Sequence, residues 1–174
     1  MAHDHRPSED ACPLEMLDLD PFETGLLSVL RHLLTAFSRP ETQAWQTGFS
    51  IATERWGIAR GPQIAQCLLS VVQALRQARQ SDFRFANPLC PDCRTWATGE
   101  EAAFCRMLQA MRRDRPDLAR PAVMDLAEGV MDPVLIQAGL AFAARFPAEG
   151  GDLRPMPAAE PHPRPTARHL RLVH

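Results

Sequence analysis

The chain contains no lysine and no tyrosine, and its single asparagine is Asn87, so all 19 basic residues are arginine. Residues depleted together in this way share AT-rich codons. The pattern therefore reflects base composition and assigns arginine no phosphate-binding purpose. No apolar run approaches the roughly 20 residues that a bilayer-spanning helix needs. The opening Met1-Ala-His-Asp-His-Arg-Pro is polar and has no apolar h-region, so nothing marks a secretory leader and the cytoplasm is the expected location, with no membrane partner. A net charge of -2 removes the broad electrostatic footprint of a nucleic-acid or anionic-membrane binder. No Ser-His-Asp order, Gly-rich phosphate loop or His-Glu-x-x-His segment is present. Without such a motif no substrate can be named; a thiol-redox or metal-dependent enzyme is the third expectation, behind non-catalytic roles.

What is present fits one domain: 174 residues, 45% hydrophobic, enough for one ordinary core. Residues 1–19 are polar and contain proline. Residues 149–174 carry Gly150-Gly151 and then Pro155, Pro157, Pro161, Pro163 and Pro165. Both stretches are expected to be flexible tails, because they hold too little apolar surface to offset chain entropy. Between them, over 20–148, the apolar period is helical and no period-two run is long enough for a sheet. The expected fold is an all-α single domain, a bundle of about six helices with a long cysteine-containing loop.

The first helix opens at Asp20-Pro21-Phe22-Glu23, where Asp20 caps, Pro21 suits the first position and Glu23 completes a capping box. Leu26, Leu30, Leu33 and Phe37 share one face, and the helix ends before Pro40. A second, over 42–56, carries Trp45, Phe49, Ala52 and Trp56, and Gly57 stops it. A third runs from Pro62 to Arg79 with Ile64, Cys67, Leu68, Val71, Val72 and Leu75 inward. Thr98-Gly-Glu-Glu101 opens a fourth, and shorter helices over 117–129 and 133–146 follow. Between the third and fourth lies 81–97, a stretch without helical period. Loops this long inside compact domains usually have a functional or stabilising reason.

That loop contains Cys90-Pro-Asp-Cys93. Two cysteines separated by two residues can bend around one tetrahedral metal ion. Five cysteines are an odd number in a chain without a leader, which favours reduced thiols or metal ligands over disulfides. With Cys67 and Cys105 on the flanking helices, a four-thiolate site of Cys67, Cys90, Cys93 and Cys105 can be written, clipping the loop. Cys12, in the N-terminal tail, is the spare. Zinc is the preferred occupant, and an iron–sulfur cluster could use the same thiolates. The plainer alternative makes Cys67 and Cys105 small buried hydrophobes. A thiol-redox role for Cys90 and Cys93 is the enzyme alternative, but the helix cap at Thr98 lies five residues beyond Cys93 and no βαβ pattern precedes the pair.

Ala52 to Leu75 loosely resembles a helix-turn-helix: a helix ending near Trp56-Gly57, an Ile58-Ala-Arg-Gly turn, and a second helix from Pro62. Gln63, Gln66, Ser70, Gln73 and Arg76 would form its outer face. The basic first turn of a DNA reader is missing, so a DNA-binding regulator is the alternative rather than the leading reading. Arg106, Arg112, Arg113 and Arg115 crowd the fourth helix's end, where pairing with the helix dipole and with Asp114 and Asp117 explains them. His32 is placed opposite Leu30, in solvent. His3, His5, His162, His169 and His174 fall in the tails. The leading expectation is a binding or regulatory module with a protein partner.

Overall fold

Where a helix starts in this chain is set by how its first N–H groups are satisfied. The computed structural model describes residues 8–148. Helix α1 (Pro21–Ser38) opens on the expected capping box: the Asp20 carboxylate accepts from the Glu23 N–H at 2.7 Å, and the Glu23 carboxylate accepts from the Asp20 N–H at 3.0 Å. Helix α3 (Gly99–Arg112) repeats the device with Thr98 and Glu101, at 3.1 and 3.0 Å. Helix α5 (Pro133–Arg145) is capped by Asp132, which accepts from the Leu135 N–H at 2.8 Å. Helix α4 (Pro116–Leu126) begins on proline without a side-chain cap.

The all-α class holds among the described residues, with five helices rather than about six. The difference lies in α2 (Ala44–Ala78), which absorbs both the second and third expected helices. It is broken at one residue, Gly57, at φ 82° and ψ 162°. That region of backbone space is open almost only to glycine. A single residue therefore makes the bend that the sequence reading spread over Ile58 to Gly61, and helix resumes at once. Just past the bend Gly61 lies against the Ala52 carbonyl, closing the corner.

Helix α1 packs along α2, α4 folds back on α3, and α5 lies across both α2 and α3. Leu30, Leu33, Ile64, Leu68, Leu75, Phe104, Met107, Leu126, Leu135 and Phe142 are fully buried where these faces meet. A two-stranded antiparallel pair, β1 (Cys12–Pro13) and β2 (Trp96–Ala97), sets Cys12 opposite Ala97 and Pro13 opposite Trp96. Residues 8–19, expected as tail, thus lie on the domain. Ala11 and Leu17 are buried, and the Gln109 amide donates to the Asp18 carbonyl at 2.8 Å. Their few apolar side chains suffice because a strand and a 3-10 turn space them against the helices. Residues 1–7 and 149–174, with the tail histidines and the Pro-rich stretch, lie outside the described residues.

Two arginines at the end of α3 reach across to α1. Arg112, buried, donates to Glu23 at 2.5 Å, to Asp20 at 3.0 Å and to the Phe146 carbonyl at 2.8 Å, and it stacks 4.5 Å over the Phe22 ring. Arg113 also pairs with Glu23. Only Arg115 finds the expected neighbour, Asp117, at 3.1 Å. The capping carboxylates of α1 thereby serve a second time as ion-pair partners.

His32 is buried, where solvent was expected, because α2 crosses that side of α1 with Gly48 opposite the His32 Cβ. Desolvation pushes its pKa below the ordinary 6.5. The unfolded chain therefore takes up a proton that the folded chain refuses. Stability from this group is full above about 6.5 and is lost as pH falls below it. Urea midpoints measured from pH 8 down to pH 5 should decline, and His32→Leu should flatten that part of the profile.

Candidate thiol site

Between α2 and α3 the chain makes only a 3-10 turn (Cys93–Thr95) and β2. Protein groups hold both ends of this loop. Near its start, the exposed Glu128 carboxylate accepts from the Gln80 and Ser81 N–H groups at 3.0 and 2.9 Å and from the Ser81 hydroxyl. These bonds, led by the one from the Ser81 hydroxyl, hold the Glu128 pKa down to about 2. Arg79 donates to the Leu126 carbonyl at 3.0 Å.

The far end is held by a buried ion pair. Arg31 of α1 donates through Nε and Nη2 to Glu101 of α3 at 2.7 and 3.0 Å, a bidentate pair with side-chain exposures of 4% and 0%. The same guanidinium donates to the Trp96 carbonyl and, at 3.5 Å, to the Arg94 carbonyl. The Glu101 carboxylate also accepts from the Ala86 N–H at 3.2 Å and the Thr98 N–H at 3.0 Å. Thr98 Oγ1 donates to the Arg84 carbonyl at 2.8 Å. The length of the loop was the reason to expect a metal clip, and Arg31 and Glu101 tie the loop backbone at Ala86, Arg94 and Trp96.

On the loop so held, Cys90 and Cys93 come together. The Cys93 N–H donates to Cys90 Sγ at 3.3 Å, and the Cys90 N–H donates to the Asn87 carbonyl at 3.2 Å. The Cys93 thiol, together with the Cys93 and Asp92 N–H groups, holds the Cys90 pKa below its ordinary value, against burial and the Asp92 charge. The Cys93 pKa is raised, first by that same hydrogen bond, then by burial and the charges of Cys90 and Asp92. Both residues are half-buried, while Leu89, Pro91 and Asp92 around them are exposed.

Among the described residues, Cys67 and Cys105 are not grouped with them. Cys105 is buried in the core of α3, where desolvation and then the Glu101 charge push its thiol up to about 12, so it stays protonated. Cys67 is half-buried and packs against the same core from α2. Among the described residues, no three His, Cys, Asp or Glu side chains are grouped to hold a metal ion. The helical spacing that placed Cys67 and Cys105 inward also committed them to apolar neighbours. Cys12 is a free, half-buried cysteine on β1.

The outer face expected of a recognition helix is in place, with Gln63, Gln66, Ser70, Gln73 and Arg76 exposed. The turn before it is not, since residues 58–61 are helical. Gln63 is also engaged by Arg145 at 3.1 Å. Cys93 begins a 3-10 turn of three residues, which lacks the helix dipole that activates a thioredoxin-like nucleophile.

Sequence reasoning recognised Glu101 as a cap and missed its pairing with Arg31. The signal was Arg31 itself, a cation beside Leu30 and Leu33 with leucine four residues before it and threonine four after. A cation on an apolar face without a local acid seeks a distant one. No protein-family model matches the chain, and no curated protein or solved structure matches it.

Proposed function

We propose that the chain is a cytoplasmic helical binding or regulatory module whose chemically active element is the Cys90/Cys93 pair, acting as a two-thiolate chelate for zinc. The observation that carries this reading is the Cys93 N–H bonded to Cys90 Sγ in a Cys-x-x-Cys loop, with the Cys93 thiol near enough to Cys90 to lower its pKa. Because Arg31 and Glu101 anchor the loop without a metal, the ion is regulatory rather than a folding requirement.

The binding role draws on the surface of α4, α5 and the loop joining them. Leu118, Met124, Val130, Met131, Val134 and Leu140 are all at least 41% exposed there. Beside them lies a cleft of about 310 Å³ that includes Met111, Ala119, Val123 and Ile136 in its lining. An exposed apolar patch of this kind favours a protein partner. Among the described residues no helix is long and apolar enough to cross a membrane.

A second reading keeps the pair as a reversible disulfide, supported by the same closeness of Cys90 and Cys93. Protein purified without oxygen separates these readings. Zinc gives a colourless metalloprotein with Cys90 and Cys93 protected from alkylation, an iron–sulfur cluster gives a brown one, and the dithiol gives a metal-free protein that loses two hydrogens on mild oxidation. Metal-free protein, unable to take up added zinc, would remove the zinc reading. Cys90→Ser should abolish zinc uptake while leaving the thermal midpoint nearly unchanged.

A further inference from the structure

We propose that the ion is shared between two copies of the chain, Cys90 and Cys93 of each copy supplying two of the four thiolates. This rests on the zinc reading above and concerns how the coordination sphere is completed. Zinc held by cysteine alone takes four sulfurs in a tetrahedron. One chain presents two, because Cys105 is buried in the core, Cys67 packs against it, and no third ligand stands with the pair among the described residues. The site is incomplete without a second contributor.

Three features of the tip suit an identical contributor. The two cysteines are held close, the Cys93 N–H bonding the Cys90 sulfur and the two thiols acting on each other, so they can serve as one chelating unit. The described residues do not cover the tip: Leu89 is 80% exposed, and Pro91 and Asp92 are exposed beside the sulfurs. It is also firmly carried, since the buried Arg31 guanidinium holds the Arg94 and Trp96 carbonyls immediately behind it. Two such units related by a two-fold axis make a tetrahedral set, and the contact closes on itself at a dimer. Leu89 of each copy would be covered beside the ion. Binding releases each thiol proton still present to solvent and changes no oxidation state, so no oxidant or reductant is required.

The test uses the full chain, kept reduced with a phosphine, titrated with zinc chloride and followed by light scattering and metal analysis. The expected result is about one zinc per two chains, with the mass rising from 19.4 kDa to twice that value. Cobalt in place of zinc should give the thiolate-to-metal absorption of a four-sulfur tetrahedral site. Cys90→Ser and Cys93→Ser should each lose the doubling and the cobalt spectrum, and Cys12→Ser should keep both. Zinc bound at one per chain with the mass unchanged would overturn the shared site and leave the metal reading standing. Failure to bind zinc at all would overturn both. Doubling without zinc, or doubling that survives Cys90→Ser, would place the contact on another surface and overturn the shared site.

Discussion

Glu101→Ala should destabilise the domain by about 3–5 kcal/mol, the usual cost of removing one partner from a buried ion pair. Three losses coincide at that position. Arg31, with 4% of its side chain exposed, keeps its charge in the interior without a carboxylate. The Ala86 N–H loses its acceptor, and the Thr98 N–H loses its half of the capping box. The urea midpoint at neutral pH reads the total. Glu101→Gln should lose less, since its amide oxygen still accepts while the charge is gone. Replacing both partners, Arg31→Met with Glu101→Leu, should recover a large part of the loss, because two apolar side chains remove the uncompensated charge. The double variant still lacks the Arg31 bonds to the Arg94 and Trp96 carbonyls. Amide exchange in the 90–97 loop should therefore stay fast when global stability returns. A loss under 1 kcal/mol for Glu101→Ala would mean that water reaches the pair and that the loop is held elsewhere.

The helices of this protein were legible because their signals are local. Asp20 with Glu23, Thr98 with Glu101, and Asp132 before Pro133 are each complete within four residues, and each cap is found where the sequence places it. Partners distant in the chain left no such trace. Arg31 and Glu101 are 70 residues apart, and Arg112 and Glu23 are 89 apart. Periodicity says that a residue turns inward but not what it meets there. The same limit explains the cysteines: Cys90 and Cys93 are close because two residues separate them, whereas joining Cys67 and Cys105 to them required a tertiary arrangement that spacing does not specify. His32 failed for a related reason, since the side of the helix opposite Leu30 was assigned to solvent and α2 covers it. The corner in α2 was visible as Gly57, but its sharpness depends on an unusual backbone conformation that composition does not reveal.

That corner carries the second large effect. Gly61→Ala should destabilise the domain although alanine is the better helix former by about 1 kcal/mol. A methyl group at position 61 would overlap the carbonyl carbon and oxygen of Ala52 and the Cα of Thr53, all of them backbone atoms. No rotamer change relieves such an overlap, so the two segments of α2 must separate. Overpacking typically costs about 1–3 kcal/mol, occasionally more, and a contact with rigid backbone belongs at the upper end. The clash outweighs the propensity gain. At roughly 2–4 °C per kcal/mol for a domain of this size, the midpoint of thermal unfolding should fall by several degrees. Gly57→Ala tests the other half of the corner by a different mechanism. Among the described residues nothing lies within 4 Å of a methyl group at that position, so its cost is backbone strain at φ 82°, of order 1–3 kcal/mol. Ala52→Gly distinguishes them further: it removes a side chain but leaves the obstructing carbonyl, so it should not rescue Gly61→Ala. Full rescue by Ala52→Gly, or a Gly61→Ala protein as stable as the parent, would show that the two segments do not meet at that carbonyl.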